Sequence, residues 1–358
     1  MLRFAVLGAG AGGQSMAAIL SEQGYPVKLY DIDREKIAAL KSMKTITVSG
    51  KIEACGTPDL ITDQLEEAVT DVDIIMVVTT TDAHAQLARD CAPYLHDGEL
   101  FILTPGHCGG ALEVAGILRG ENGCGKDILI AETGDLLYAC RCYEVGKPLH
   151  TGLKSSVKLS AFPASDTSRV MDVLGPVFPM LRAVDSVLET GFEGGGAMLH
   201  PLPTVMNINK MDLGEPYDYY MEGITPHVAE IIEACDKERV AVCRALGLDV
   251  LPEAEALVKM YKLEPKDSFY DLIQSIEPYK GLKNPTSTKH RFLVEDTMNG
   301  LVPLASVGKA LGVKTPIMDA FITLASIICG RDFASEGRTA EKLGFAGKTA
   351  AEIREMVK

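Results

Sequence analysis

The first thirteen residues constrain this chain more than any other stretch. A short apolar run, Leu2 to Leu7, ends in VLGAGAGG, which sets Gly8, Gly10 and Gly13 in GxGxxG spacing. That spacing alone is a weak signal. Here the run reads as a strand, residues 14–22 read as a helix, and a second strand, Val27 to Asp31, closes on an acidic residue. A strand, a glycine turn, a helix and an acid about 20 residues on form the context in which the pattern binds a dinucleotide. Gly8 permits the tight turn, Gly10 lets the backbone approach a pyrophosphate, and Gly13 lets the helix pack closely on the strand. The pyrophosphate is expected at the helix N-terminus, where unpaired N–H groups and the helix dipole favour an anion. Asp31 can accept hydrogen bonds from an adenosine ribose, which favours NAD over NADP. Arg34 can meet a 2′-phosphate and pulls the other way.

The strand–helix alternation continues. Residues 73–79, 99–104 and 127–131 read as strands, with helical stretches up to about residue 94 and near 109–119. Strands apolar on both faces and alternating with helices predict a doubly wound, mostly parallel sheet covered on both sides. From about residue 225 onward helix signals dominate. Thr225 and Pro226 open a long helix that ends before Gly247, with Val228, Ile231, Ile232, Cys235, Val242 and Leu246 as its apolar stripe. Thr315 and Pro316 repeat the start signal, and Thr349 with Glu352 forms a capping box for the last helix. The strand-like VDSVLET, 184–190, gives way to a glycine-rich EGGG, which marks the join. The expectation is a Rossmann dinucleotide-binding domain over residues 1–188 and an all-helical domain over 189–358.

Charge narrows the partners. With 35 Lys and Arg against 49 Asp and Glu, the net charge is −14. A chain this acidic lacks the broad basic field that nucleic acid or an anionic membrane surface requires. Its nine cysteines are odd in number and carry no zinc-type spacing, so no metal is expected and the thiols read as reduced, as in the cytoplasm. The N-terminal apolar run is too short for a signal peptide. The longest apolar stretch, 316–329, contains Asp319, so no membrane span is expected. One stretch departs from the acidic background: YKGLKNPTSTKHRF, 279–292, carries Lys280, Lys283, Lys289 and Arg291 with no acid, and Glu295 and Asp296 follow. It is either a solvated helix face or a pocket for a carboxylate with Arg as a bidentate clamp. His200, between the glycines of FEGGG and the prolines of HPLP, lies on a restricted loop or helix entrance.

Together these pieces resemble the NAD/NADP-dependent octopine/nopaline (opine) dehydrogenase family. The carrying segments are GAGAGG with YDID, PGHCGG at 105–110, ETGDLLYACR at 132–141, LHPLPTVMN at 199–207, YMEGITPHVAEIIEACDKERVAV at 220–242 and RFLVEDTMNGLVPLASVGKALGVKTP at 291–316. The resemblance implies a helical domain like the C-terminal domain of 6-phosphogluconate dehydrogenase. It also implies NAD(P)H-dependent reductive condensation of a pyruvate-like 2-oxo acid with an amino acid. Carried over by motif, His200 and Asp296 are the implied catalytic pair and Arg291 the substrate-contacting arginine. His107 and Cys140 fall where family members line the oxo-acid pocket, although Gln is expected where His107 stands. A homodimer is the default assembly for such an enzyme.

The chemistry supports these roles independently. An oxo acid and an amine give a carbinolamine and then an imine, which a nicotinamide hydride reduces. Loss of water needs a proton donor, and oxidation in reverse needs a base; a histidine serves both. A carboxylate on its far nitrogen fixes the tautomer without touching substrate. Arg291 and Asp296, five residues apart, sit about 140° apart on an ideal helix and so can only border one cavity from two sides. At i,i+4, Arg291 and Glu295 can instead form an ion pair within the helix. Two other readings compete: a simple 2-oxo-acid or ketone reductase with Lys210 as its acid, and a non-catalytic dinucleotide-binding sensor.

Overall fold

The computed structural model describes residues 1–358, which form two compact units: Met1–Gly191 with Val357–Lys358, and Phe192–Met356. The first unit is built on an eight-stranded sheet. Its strands are β1 (Phe4–Leu7), β2 (Val27–Tyr30), β3 (Leu60–Thr62), β4 (Ile74–Val77), β5 (Leu100–Leu103), β6 (Leu129–Thr133), β7 (Val157–Phe162) and β8 (Leu181–Ala183). Their order across the sheet is β3-β2-β1-β4-β5-β6-β7-β8. All neighbours run parallel except β6 and β7, which pair antiparallel. β1, β4 and β5 are buried at every position, as strands covered on both faces must be. The order reverses beside β1, between β2 and β4, and a sheet of this kind opens its ligand crevice at such a reversal. Helix α1 (Ala11–Glu22) follows β1, and α2 (Gly110–Leu118) follows β5.

A second, four-stranded sheet lies outside the sequence expectation. It joins Ala54–Gly56, Ile46–Gly50, Leu149–Gly152 and Ala139–Arg141, in that order. These strands are three to five residues long, and every one of them carries exposed or half-buried positions. Short, half-exposed strands carry no sustained period, so the sequence does not announce them.

VDSVLET, expected as a strand, is not one: Val187–Phe192 is a short helix across the join. The Glu189 side chain accepts from the Asp185 N–H at 3.0 Å, and the Glu189 N–H bonds the Ser186 carbonyl. Local capping outweighs the β-branched composition of so short a window. The chain end also departs from a single break. The Val357 and Lys358 carbonyls accept from Ala164 and Ser165, which ties the terminus to the first unit.

The second unit is helical. Its elements include α3 (Gly196–Leu199), α4 (Pro201–Met206), the 21-residue α5 (Pro226–Leu246), α6 (Glu253–Tyr261) and α7 (Arg291–Asp296). α5 starts with Pro226 in its first turn and stops at Gly247, whose φ of +87° is the left-handed conformation that glycine adopts without strain. The expected stripe is buried except Ile231, which is half-buried. α5 also buries two charges. Arg239 donates through Nε to Asp236 Oδ1 at 2.6 Å and through its two Nη groups to the Glu193 and Leu251 carbonyls, both at 2.8 Å. Asp236 Oδ2 accepts from the Glu253 N–H at 2.7 Å. This network pins the 192–195 segment and the start of α6 to α5, with both charges satisfied as burial demands. All nine cysteines are free thiols, and no helix is long and apolar enough to cross a membrane.

Gly13 offers a direct test of the α1 packing, because a Cβ there would run into the Gly8 carbonyl oxygen. Gly13→Ala is expected to cost ~1–3 kcal/mol of stability, measured by urea unfolding. Gly24→Ala, a control with nothing within 4 Å but a φ of +86°, reports backbone strain alone.

Candidate active site

The glycine turn fits a dinucleotide. Gly8 has φ +106°, and a Cβ there would lie 2.5 Å from the Val78 carbonyl oxygen. A Cβ on Gly10 would meet nothing within 4 Å, so the backbone stands open at the N-terminus of α1, where no side chain caps the helix. That is the cradle a pyrophosphate needs. Asp31 also holds the turn itself: Oδ2 accepts from the Ala9 N–H at 2.7 Å, and Oδ1 from the Asp33 N–H at 2.9 Å. The cation beside Asp31 is Lys36, at 3.2 Å, which the sequence reading did not single out. Arg34 is 84% exposed and pairs with Asp63 at 3.3 Å.

His107 lies between β5 and α2 with φ +53°, and Cys140 lies in the small sheet, half-buried; no hydrogen bond joins the two. Burial pushes the Cys140 thiol up, so it stays protonated. The loop carrying His107 is fixed by Glu132, fully buried at the end of β6. Its Oε2 accepts from the Ala111 N–H at 2.7 Å in the first turn of α2, and its Oε1 from the Thr190 hydroxyl. Glu132 sat in the quoted ETGD segment without a role. An acid at the tip of an apolar strand is the signal that could have found it.

In the second unit, His200 stands at a break between α3 and α4. Pro201 and Pro203 remove two helical donors, so the chain cannot run through as one helix. The His200 carbonyl accepts the helical Thr204 N–H at 3.3 Å, and two hydroxyls reach it as well, Thr204 at 2.8 Å and Tyr219 at 2.5 Å. These two bonds fix the backbone under the ring. The imidazole stacks on Phe292, with centroids 4.0 Å apart and planes at 9°. Nδ1 lies 3.0 Å from Asp296 Oδ2, and Nε2 lies 3.1 Å from the Tyr220 hydroxyl. Asp296 is 0% exposed, and the His200 side chain 17%. A buried carboxylate on Nδ1 selects the tautomer in which Nδ1 donates and Nε2 presents its lone pair.

Asp296 closes α7, where the helix widens into a π turn at Thr297–Leu301. Pro303, just beyond, has no N–H for the Asn299 carbonyl, and the wide turn absorbs that loss. A Cβ on Gly300 would come 2.6 Å from the Ala197 Cβ, so glycine lets α3 close over this turn. His290 caps the start of α7: its Nδ1 accepts from the Phe292 N–H at 3.2 Å. Burial, with Arg291 adjoining, holds His290 below the usual histidine range, which keeps it the neutral acceptor that this cap needs.

Arg291 makes the ion pair within its own helix: Nε lies 2.8 Å from Glu295 Oε2. The pair uses Nε, and the Arg291 side chain is half-exposed. Lys280 pairs with Glu277 at 2.5 Å, and Lys283 and Lys289 are exposed. Lys210 lies over the Tyr217 ring, 4.9 Å from its centroid, and makes no hydrogen bond or ion pair to His200 or Asp296. The sequence reading therefore missed Tyr220, Phe292, Tyr219 and Thr204. All four lie in or beside quoted segments, but an aromatic residue there reads first as core.

With this geometry in view, comparison with known proteins decides the family. The alpha-helical domain of NAD/NADP octopine/nopaline dehydrogenase matches residues 183–329, and the N-terminus of NAD-dependent glycerol-3-phosphate dehydrogenase matches residues 3–106. An opine dehydrogenase of Arthrobacter sp. (strain 1C) is 38% identical over 99% of this chain and 98% of its own. The chain belongs to the opine dehydrogenase family. The octopine dehydrogenase of Mizuhopecten yessoensis is 25% identical over 94% of this chain and 92% of its own. An octopine dehydrogenase structure with NADH and L-arginine shares the fold, with a TM-score of 0.80 at 23% identity over 99% of this chain and 98% of that one. The protein is an NAD(P)-dependent oxidoreductase acting on CH–NH bonds, and its reaction is the reductive condensation of a 2-oxo acid with an amino acid.

Asp296→Asn keeps the shape but lets the amide present an N–H to Nδ1, which favours the wrong tautomer. Turnover is expected to fall ~10²–10⁴-fold, with KM for both substrates nearly unchanged, in steady-state NADH oxidation.

Proposed function

We propose that His200 is the acid–base group of this condensation, that Asp296 orients it, and that Arg291 clamps a substrate carboxylate. The observation that carries the reading is the 3.0 Å contact between His200 Nδ1 and a fully buried Asp296. A buried carboxylate is costly unless paired, and its partner here is a histidine whose other nitrogen faces the Tyr220 hydroxyl. His107 and Cys140 contact a pyruvate-like oxo acid, with Cys140 as a neutral thiol.

The steps follow from these roles. His200 takes a proton from the ammonium of the amino acid, which frees the nitrogen lone pair to add to the keto carbon. The carbinolamine then receives that proton back on its hydroxyl oxygen, water leaves, and the C=N bond forms. The bound nicotinamide cofactor supplies the hydride that reduces this carbon. Arg291 holds a carboxylate through its Nη groups while Glu295 fixes its Nε. In the reverse direction neutral His200 accepts the proton that the secondary amine must lose.

We also propose a preference for NADH. In the dinucleotide pattern an acid at the Asp31 position accepts from the ribose hydroxyls and disfavours a 2′-phosphate, and Arg34 is paired with Asp63, which leaves Lys36 as the cation beside Asp31. kcat/KM should favour NADH over NADPH by ~10-fold or more, about 1.4 kcal/mol; parity would overturn the assignment.

The decisive experiment is an NADH-oxidation screen of pyruvate, 2-oxoglutarate and oxaloacetate against the amino acids, with each oxo acid also run alone. Oxidation is expected only when both substrates are present. His200→Ala should lower it ~10²–10⁴-fold, and Lys210→Ala should leave it within about twofold. Turnover with oxo acid alone that is lost in Lys210→Ala would establish the simple reductase instead.

A further inference from the structure

Both ring nitrogens of His200 are engaged by the protein. Nδ1 faces Asp296, and Nε2, the nitrogen that the proposed chemistry uses, faces the Tyr220 hydroxyl at 3.1 Å. An imidazole nitrogen has a single in-plane lone pair or N–H, so it makes one strong hydrogen bond at a time. Substrate therefore reaches the proton of His200 either by pushing Tyr220 aside or through its oxygen.

The surroundings of Tyr220 decide between these routes. It is 6% exposed. Its ring stacks on Tyr279, with centroids 4.0 Å apart and planes at 17°, and Tyr219 meets it edge-on at 5.1 Å. Tyr261 in turn packs edge-on against Tyr279 at 5.6 Å. Moving Tyr220 would break a four-ring cluster whose pairs each contribute about 0.5–1.5 kcal/mol beyond burial. The hydroxyl, by contrast, can rotate where it stands. A phenol also accepts and donates at once, which an ammonium or a carboxylate cannot do.

Resting on the reading of His200 as the acid–base group, we infer that Tyr220 is a further catalytic residue: its hydroxyl relays the proton between His200 Nε2 and the substrate. In the dehydration step Nε2–H donates its proton to the Tyr220 oxygen as the Tyr220 O–H donates its own to the carbinolamine hydroxyl. The C–O bond breaks, water leaves, the nitrogen lone pair closes the C=N bond, and the phenol ends as it began. Amine deprotonation runs the same exchange backwards. No tyrosinate forms, and burial, with Asp296 next in effect, holds the Tyr220 phenol well above its ordinary range, in keeping with a neutral relay.

Tyr220→Phe tests this and keeps the ring stack. The relay predicts that kcat falls ~10–100-fold while KM for both substrates stays within about threefold, with the thermal midpoint and NADH binding unchanged. In mixed H2O/D2O, wild-type kcat should depend on deuterium fraction along a curve, since two protons move together, and the variant along a straight line. A kcat within twofold of wild type, or above it, would overturn the relay and mean that substrate displaces Tyr220. A loss with raised KM and an unchanged isotope curve would overturn it too and assign Tyr220 to binding alone. Failure of the wild-type enzyme to couple any oxo acid to an amine, or full activity of His200→Ala, would instead remove the reading on which the relay rests.

Discussion

The second unit is organised around one buried carboxylate. Asp296 has no exposure, and an ionised carboxylate in that position is tolerated only with partners in place. Meeting that demand shapes what surrounds it. The helix widens at 297–301 just after Asp296, and Gly300 lets α3 approach. The two prolines break the chain so that the His200 ring, rather than a helix backbone, faces the acid. Thr204 and Tyr219 then hold the His200 carbonyl, which keeps the ring beside its partner. Phe292, stacked on the imidazole, fixes its plane. A histidine held at its carbonyl, its Nδ1 and its face has one direction left in which to act.

The first unit follows a parallel logic with backbone in place of side chains. Here the constraint is close approach: a Cβ on Gly8 would strike the Val78 carbonyl, and a Cβ on Gly13 would strike the Gly8 carbonyl. Asp31 closes the arrangement through the Ala9 N–H. The one carboxylate at the end of β2 thus braces the glycine turn that opens α1.

How much of this was legible in sequence follows from the range of each signal. The parallel sheet, α1, α5 and the last capping box were readable because each rests on residues within about one element of one another; Thr349 and Glu352 form their reciprocal cap at 2.7 Å. Val187–Phe192 was misread because six residues are too few for periodicity to outweigh β-branched composition, while the caps that decide it come from Asp185 and Ser186. The small sheet was invisible because it pairs residues near 50 with residues near 150. The pairing of His200 with Asp296 entered through family motifs, since no spacing rule connects positions 96 residues apart. Tyr220 carried no role even so. What distinguishes it from a core tyrosine is a single hydrogen bond to His200, which exists only once the 199–220 segment has folded back on itself.

The charge distribution takes on a different meaning in the folded chain. In sequence, 279–292 stood out as an acid-free basic stretch in a chain of net charge −14. In the structure its cations differ in what they can do. Lys280 is paired with Glu277, and Lys283 and Lys289 project into solvent, where a charge is strongly screened. Arg291 is tied through Nε to a buried Glu295, one residue from the acid that orients His200. A guanidinium anchored at one nitrogen is held in direction as well as in charge, and direction is what a bidentate carboxylate contact requires. Net charge marks the segment, and the neighbouring buried Glu295 fixes the direction of one group within it.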